Sequence, residues 1–114
     1  MKRGEVWLVN LDPTIGAEIK KTRPAVIVND DAVGILPLKV IVPITEWRDR
    51  YMVAPWMVRL EPTPENGLDK PSAADAFQVR SVAQQRLVRT LGKLSESTMQ
   101  EITRALAVVL VIER

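Results

Sequence analysis

The apolar residues of this chain fall in short runs rich in β-branched side chains, and prolines, glycines or acidic residues separate the runs. Such runs predict β-strands, and only the C-terminal part has the spacing of an amphipathic helix. Five or six short strands and one late helix indicate a mainly β protein with some α, built as a small antiparallel β-barrel. We expect one domain over residues 1–114. The predicted strands are residues 5–10, 24–29, 38–45, 56–60, 73–82 and 88–94.

The predicted helix begins at an N-cap serine, either Ser95 or Ser97. Residues 106–112 are apolar on all sides. This predicts either a helix end covered from two directions, for instance by a partner subunit, or a final strand. The apolar stripe of the helix consists of Met99, Ile102, Leu106, Val109 and Leu110.

Three cations occur within four residues just before the most apolar strand, at Lys20, Lys21 and Arg23. Pro24 biases Arg23 toward an extended conformation, which places a guanidinium at the entrance of a strand. The preceding residues 12–22 have no period and predict a loop long enough to act as a lid or binding loop. The arrangement suits phosphate binding, although such an arginine is more often part of a surface or dimer salt bridge, and two adjacent lysines are more often a solvated loop.

Composition narrows the possible chemistry, because the chain has neither cysteine nor histidine. Thiol nucleophiles, disulfides, histidine-ligated metals and an imidazole acid/base pair are therefore excluded. The net charge is +2, so a nucleic-acid surface has to come from local clustering of cations. The longest apolar run, residues 105–112, is far shorter than a membrane span, and we expect a cytoplasmic protein without a membrane segment.

Eight short motifs give the chain a resemblance to a known family when they are taken in order. They are RGEVW at 3–7, LDP at 11–13, GAE at 16–18, KTRPAVIV at 21–28, VPIT at 42–45, NGLDK at 66–70, QVRSV at 78–82 and QRL at 85–87. A single piece such as RPAV is weak, but the ordered set covers nearly the whole chain. The sequence resembles the MazF/PemK family of toxin-antitoxin ribonucleases.

The resemblance implies an SH3-like, MazF/CcdB-type antiparallel barrel with a C-terminal helix, assembled as a homodimer. It also implies a toxin that cleaves single-stranded RNA, mostly mRNA, without a metal or another cofactor, and that a cognate antitoxin protein neutralises. The family's catalytic arginine falls on Arg23 and its threonine on Thr45. An acidic residue of the lid region falls on Glu18, and the polar strand that touches RNA falls on Gln78, Arg80 and Ser81.

Cleavage of RNA without a metal uses the neighbouring 2′-hydroxyl as nucleophile and leaves a 2′,3′-cyclic phosphate and a 5′-hydroxyl end. A preorganised arginine such as Arg23 can meet two phosphoryl oxygens at once, and Thr45 can donate one further hydrogen bond. Family accounts often give the arginine the proton transfer, but a guanidinium seldom gives up its proton and is therefore a poor base. Glu18 is the physical candidate for the base. The alternative for Thr45 is a strand-end hydroxyl that satisfies a backbone group.

The remaining candidates bind RNA rather than act on it. Lys20 and Lys21, together with Thr22, are predicted to hold flanking phosphates. Base contacts are predicted for Trp47, Gln78 and Arg80. Alternatively, Trp47 is a packing residue, and Arg80 is a buried ion-pair partner of Asp75 or Glu18.

Two positions depart from the family pattern. Glu46 follows Thr45 where the family often has a small or hydroxyl residue, which predicts an anion near the phosphate. Ala83 stands where an aspartate is common, which predicts a looser hold on Arg80.

Two other functions compete with RNA cleavage on the same barrel. The related CcdB-like toxins poison DNA gyrase by contact and cleave nothing. A degenerate member would only bind RNA or an antitoxin.

Overall fold

The computed structural model describes residues 1–34 and 36–113. It contains antiparallel β-strands followed by one C-terminal α-helix, which confirms the mainly β fold predicted from the sequence. The strands are β1 Glu5–Asn10, β2 Thr22–Ile27, β3 Leu38–Glu46, β4 Met57–Leu60, β5 Ser72–Asp75, β6 Arg80–Ala83 and β7 Leu87–Lys93, and the helix is α1 Glu96–Leu110. Single 3-10 turns lie at Asp49–Val53, Ala76–Gln78 and Gln84–Arg86.

β2 begins earlier than predicted, because Thr22 and Arg23 pair with Asn10 and Val9 of β1. The predicted loop therefore ends at Lys21 rather than at Thr22. Residues 11–21, which join β1 to β2, are called the site loop below.

The prediction of one strand over residues 73–82 is wrong. The segment forms β5 and β6, and the 3-10 turn Ala76–Gln78 separates them. Asp75 caps this turn, since its carboxylate Oδ1 accepts the backbone N–H of Phe77 at 3.1 Å. Aspartate at such a position offers the backbone an alternative to continuing the strand.

β3 is the longest strand and has different partners along its two edges. One edge pairs with β2, whereas the other pairs first with β6, through Leu38–Ile41, and then with β5, through residues 44–46. Pro43 falls in the gap between β6 and β5. A strand residue without an N–H group loses no ladder hydrogen bond there.

The apolar side chains of β2 and β3 alternate between two cores, so both strands are buried on both faces. The larger core lies on the side of α1, and the smaller core lies on the opposite face of β2 and β3. From these two strands the larger core receives Val26, Val42 and Ile44, and Val28 joins them directly after the end of β2. The smaller core is formed by Val9, Leu11, Ala25, Ile27, Ile41, Val82 and Leu87, with Trp7 and Ile19 packed against it.

The N-cap of α1 is Ser95, whose hydroxyl accepts the N–H of Thr98 at 3.2 Å. The helix ends at Leu110, and Val111 takes the left-handed conformation with φ 55°. The predicted stripe is correct for Met99 and Ile102 but wrong for Leu110, which is exposed. The helix therefore does not give way to a strand anywhere up to residue 113. Among the residues described, no helix combines the length and apolar character needed to cross a bilayer.

Candidate active site

Arg23 and Thr45 lie on the same face of two adjacent strands. The β2–β3 ladder pairs Ala25 with Pro43 and Ile27 with Ile41, and these residues face the smaller core. Alternate residues of a strand share a face. The ladder ends at the Ala25–Pro43 pair, and its register, continued by two residues, would bring Arg23 level with Thr45. Both side chains are half-buried, at the point where the smaller core opens to solvent.

The polar groups of these two residues are largely available to a ligand. Arg23 Nε donates to the carbonyl oxygen of Lys20 at 3.3 Å, which orients the guanidinium. Within residues 1–34 and 36–113, its terminal nitrogens have no protein acceptor, and the Thr45 hydroxyl has no protein partner. A charged donor and a neutral donor thus point outward from neighbouring strands.

A groove of about 580 Å³ adjoins this face of the sheet and opens at the gap between β5 and β6. The β3–β6 ladder pairs Ile41 with Arg80, so Arg80 shares the face of Arg23 and Thr45. The 3-10 turn adds Phe77 and Gln78 to the groove wall. The full lining is Ala17, Glu18, Ile19, Pro43, Phe77, Gln78, Val79 and Arg80.

Phe77 is the aromatic residue of the groove wall, and the sequence analysis did not name it. Its side chain is 70% exposed and meets Trp56 edge-on, with 6.1 Å between ring centroids. In one continuous strand over residues 73–82, Phe77 would face the side of the sheet opposite to Gln78 and Arg80. Only the aspartate two positions before it, as a turn cap, signals that the strand stops.

The site loop is closed at its base by contacts between its two ends. Asp12 Oδ1 accepts the N–H of Lys21 at 3.0 Å, and the N–H of Leu11 donates to the Lys21 carbonyl oxygen at 3.0 Å. Arg86 donates to the carbonyl oxygens of Asn10 and Asp12. Lys21 has a φ of 69°, so its backbone turns sharply just before β2.

The tip of the site loop brings Ala17, Glu18 and Ile19 to the groove, and Lys20 follows them in the chain. Glu18 Oε1 accepts the N–H of Ile15 at 2.7 Å and stabilises the turn that precedes it. Gln78 Oε1 accepts the N–H of Ile19, also at 2.7 Å. Glu18 and Lys20 are exposed, whereas Ile19 packs against the smaller core.

Asp75 is the buried carboxylate behind the groove, with only 5% of its surface exposed. Burial raises its pKa above the ordinary value of 3.8, although hydrogen bonds from Phe77 and Gln78 act in the opposite direction. Gln78 Nε2 donates to Asp75 Oδ2 at 3.2 Å.

Arg80 forms no salt bridge with Asp75 or Glu18 in the described part of the chain, so the ion-pair alternative is wrong there. Arg80 Nη1 instead donates to the carbonyl oxygen of Leu11 at 3.4 Å. Its guanidinium is thus held by one long hydrogen bond, at the base of the site loop.

Glu46 lies next to Thr45 in β3, and neighbouring strand residues point to opposite faces. Its carboxylate lies 3.7 Å from both Arg48 and Lys70. The expected anion is therefore turned away from the face that carries Thr45 and is compensated by two cations.

Three of the predicted RNA-binding residues point away from the groove wall or are engaged elsewhere, and Lys20 and Lys21 do not line the groove either. Thr22 and Ser81 alternate with Arg23 and Arg80 and so point to the other face of their strands. Trp47 donates to Asp49 Oδ1 at 3.3 Å, and the Arg59 guanidinium stacks 4.7 Å above its ring. The geometry of Trp47 favours the packing alternative, while contacts with RNA stay predictions for all three.

Residues 1–34 and 36–113 contain no group of three acidic, histidine or cysteine side chains close enough to hold a metal ion. A second groove of about 550 Å³ lies where β4 and the start of α1 approach each other, lined in part by Arg59, Asn66 and Thr98. It contains none of the predicted site residues.

A family model of PemK-like, MazF-like toxins of type II toxin-antitoxin systems matches residues 2–110. The chain belongs to this family. It is 36% identical over 112 residues to endoribonuclease MazF9 of Mycobacterium tuberculosis, and the matched region covers 93% of this chain and 92% of the relative. Endoribonuclease PemK of Escherichia coli is 33% identical over 112 residues, with 96% of this chain and 82% of the relative covered.

Solved structures of MazF proteins have the same fold. MazF from Deinococcus radiodurans superposes with a TM-score of 0.80 at 22% identity, over 98% of this chain and 97% of that chain. A mycobacterial endoribonuclease solved in complex with its cognate antitoxin superposes with a TM-score of 0.79 at 23% identity, over 100% of this chain and 98% of that chain. The MazF-type barrel with a C-terminal helix is therefore confirmed.

Proposed function

We propose that this MazF/PemK family member is a toxin that cleaves single-stranded RNA, mRNA above all, at the groove beside Arg23 and Thr45. The observation that carries the proposal is the position of these two residues on one face of adjacent strands, each with donors that no group of the described residues occupies. The names of the curated relatives, which are endoribonucleases, support the same activity. The proposed endoribonuclease domain spans residues 1–114.

In the proposed reaction the 2′-oxygen of one nucleotide attacks the adjacent phosphorus. The O2′–P bond forms, the P–O5′ bond breaks, the 2′-hydroxyl gives up its proton, and the leaving 5′-oxygen gains one. The products are a 2′,3′-cyclic phosphate and a 5′-hydroxyl end. Charge builds on the non-bridging oxygens, which the Arg23 guanidinium meets with two parallel N–H groups, while the Thr45 hydroxyl donates a third hydrogen bond.

Glu18 is the proposed acceptor of the 2′-hydroxyl proton. It lines the groove, and one of its carboxylate oxygens is already used by the Ile15 N–H, which fixes the orientation of the other. Lys20 and Lys21 flank Arg23 as exposed point charges and are proposed to hold neighbouring phosphates.

Base recognition is proposed for the wall of the groove formed by Phe77 and Arg80. An exposed aromatic ring offers a stacking surface to any base, and an arginine adds hydrogen bonds or a second stacking plane. Phe77 thus takes the stacking role for which the sequence offered Trp47.

The proposed partners are the RNA substrate, a cognate antitoxin protein and a second copy of the chain. The antitoxin follows from the toxin family and from the mycobacterial complex, in which an endoribonuclease is bound to its antitoxin. The exposed apolar end of α1, with Val108, Leu110 and Ile112, supports burial against another subunit. An mRNA substrate places the activity in the cytoplasm.

The test incubates purified protein with a long, largely unstructured RNA in EDTA and maps the ends of the fragments. We expect cleavage at a short recurring sequence, with 2′,3′-cyclic phosphate ends, and its loss in Arg23→Ala. Arg104→Ala is the matched control, because it removes the same charge from the exposed surface of α1.

Folded protein that cuts no long RNA would overturn the proposal. Binding of RNA or antitoxin without cyclic-phosphate ends would indicate a degenerate binding protein instead.

A further inference from the structure

Gln78 lines the groove, yet both ends of its amide are already used by the protein. Its carbonyl oxygen Oε1 accepts the N–H of Ile19 at 2.7 Å, and its Nε2 donates to Asp75 Oδ2 at 3.2 Å. A longer contact of 3.5 Å joins Nε2 to the carbonyl oxygen of Ala17. The side chain therefore bridges the body of the barrel to the tip of the site loop.

Asp75 determines which way round this amide lies. A carboxylate only accepts hydrogen bonds, so the nitrogen of Gln78 must face it and the oxygen must face the Ile19 N–H. Asp75 cannot rotate away, because its second oxygen caps the 3-10 turn through the Phe77 N–H at 3.1 Å. Burial of Asp75 removes water as a substitute partner, and an unmatched polar group there is costly.

The base of the site loop is fixed independently of Gln78. The contacts between Asp12 and Lys21 close the loop whatever happens at its tip. The chain between them carries Glu18 and Lys20. It is attached to the barrel by the Ile19 side chain, which packs on the smaller core, by the Gln78 hydrogen bonds, and by the hydrogen bond from Arg23 Nε to the Lys20 carbonyl oxygen.

We propose that Asp75 and Gln78 act as positioning residues that hold the tip of the site loop over the groove, and that Gln78 does not itself contact an RNA base. Asp75 orients the Gln78 amide, and Gln78 fixes the backbone of Ile19 between Glu18 and Lys20. The part of the inference that concerns RNA rests on the proposed function, whereas the part that concerns the loop does not.

Two single substitutions break the arrangement without removing bulk. In Asp75→Asn, one oxygen still caps the turn, but the new amide nitrogen faces Gln78, so one donor must oppose another donor. In Gln78→Glu, one oxygen still accepts the Ile19 N–H, but the other faces the Asp75 carboxylate. Either change removes a hydrogen bond from the bridge.

The double variant Asp75→Asn/Gln78→Glu restores the pattern with the donor and acceptor exchanged. The amide nitrogen introduced at position 75 then donates to the carboxylate introduced at position 78, whose other oxygen accepts the Ile19 N–H. Total charge is the same as in the original protein. A role limited to the bulk of the two side chains gives no reason for the double variant to outperform the singles.

The direct measurement is hydrogen exchange of the Ile19 amide, which needs no RNA. We expect exchange to be about two- to tenfold faster in each single variant, as for the loss of one hydrogen bond, and to return to the original rate in the double variant. The buried amide of Ile102 in α1 is the internal control, and its persistently slow exchange in every variant shows that the variant folds.

Unchanged exchange at Ile19 in both single variants would overturn the proposal that Gln78 holds the tip of the site loop. So would a double variant that exchanges as fast as the singles.

RNA cleavage tests the second half of the inference. Both single variants should have a lower kcat/KM than the original protein. The double variant should regain the original kcat/KM and cut at the same RNA sequence. The double variant could regain the original Ile19 exchange rate without cutting at the original RNA sequence. This result would show that Gln78 contacts RNA and would overturn the part of the inference that concerns RNA. If the original protein cuts no RNA, the proposed function fails. The exchange measurements still test whether Asp75 and Gln78 hold the tip of the site loop.

Discussion

The two faces of β2 and β3 are made by alternating residues of the same strands, but they are covered in different ways. On one face Val26 and Val42 enter the larger core, which α1 covers with buried side chains such as Ile102. On the other face Ala25 and Pro43 are buried on the side of the smaller core, and a loop rather than a helix lies over this side. One face provides stability, and the other ends in the unoccupied donors of Arg23 and Thr45.

The difference arises from local sequence. A helix places its apolar residues on one stripe and buries them together, whereas the site loop contributes two apolar side chains to the smaller core, Leu11 at its base and Ile19 near its tip. The residues between them can be charged without disturbing the core, and one of these, Glu18, lines the groove.

Arg23→Ala should show the largest difference between the two faces, with a large effect on cleavage and a small effect on stability. We expect cleavage to fall by roughly 10³-fold, because an arginine that neutralises transition-state charge on phosphoryl oxygens contributes about this much or more. Stability should change by no more than about 0.5 kcal/mol, since the side chain has no ion pair in the part described. Cleavage assays and urea unfolding of the same preparation measure both. A large loss of stability would place Arg23 in the fold rather than in the site.

Ile102→Ala should have the opposite effect. Ile102 is completely buried in the larger core, so its truncation should lower the free energy of unfolding by about 2–5 kcal/mol. Cleavage per folded molecule should stay the same at a temperature where the variant is folded. Glu101→Ala, on the exposed side of the same helix, is the control and should change stability by less than about 0.5 kcal/mol. Equal effects of the two changes would contradict the burial pattern of α1.

Phe77→Ala should weaken RNA binding by about 1–3 kcal/mol, the cost of losing one base-stacking surface. Because the side chain is 70% exposed, the free energy of unfolding should hardly change. Binding of a non-cleavable RNA analogue, measured by fluorescence anisotropy, tests this. Phe77→Trp should restore the affinity and Phe77→Leu should not. Full affinity with leucine would mean that any apolar side chain suffices.

Thr45→Val removes one hydroxyl and preserves the shape of the side chain. We expect cleavage to fall by about three- to tenfold, as for one neutral hydrogen bond. Thr90→Val, on an exposed position of β7, should leave cleavage unchanged. A loss as large as that of Arg23→Ala would give Thr45 a greater part in the reaction than one donor can supply.

The buried Asp75 predicts the smallest effect, a dependence of stability on pH. Because its pKa is raised in the folded state, its contribution favours folding below the ordinary value of 3.8 and is lost as pH rises through the folded value. The free energy of unfolding of the original protein, minus that of Asp75→Asn, should therefore decrease as pH rises. Unfolding in urea across an acidic pH series measures it, and an increase would reverse the sign of the pKa shift.

Much of the site could be predicted because Arg23 and Thr45 lie on strands whose β-branched runs are plain in the sequence. The position of Arg23 before Pro24 and of Thr45 after the Val-Pro-Ile run placed them at strand ends. The family resemblance then indicated that these two residues form the site, and the β2–β3 register brings them to one face.

The break between β5 and β6 could not be predicted with the same ease, because it depends on one carboxylate and one neighbouring N–H. The pattern of residues 73–82 is compatible with a continuous strand until Asp75 is known to cap the turn. The partners of Gln78 were also out of reach, since Ile19 is 59 residues away in the chain. Likewise, the sequence predicted Glu46 as an anion near the site, because it follows Thr45. The alternation of side chains along β3 instead turns Glu46 to the opposite face of the sheet.

The gap in which Pro43 lies separates two hydrogen-bonded ladders that share β3 as their common strand. Substitutions at Phe77, or a change in length of the turn around it, alter the groove without shifting either ladder. Under the proposed function, the recognised RNA sequence can thus diverge among related toxins through a few residues of this turn, while the proposed site of the reacting phosphate beside Arg23 stays the same. A barrel with one uninterrupted ladder along this edge would couple each such change to the register of a whole strand.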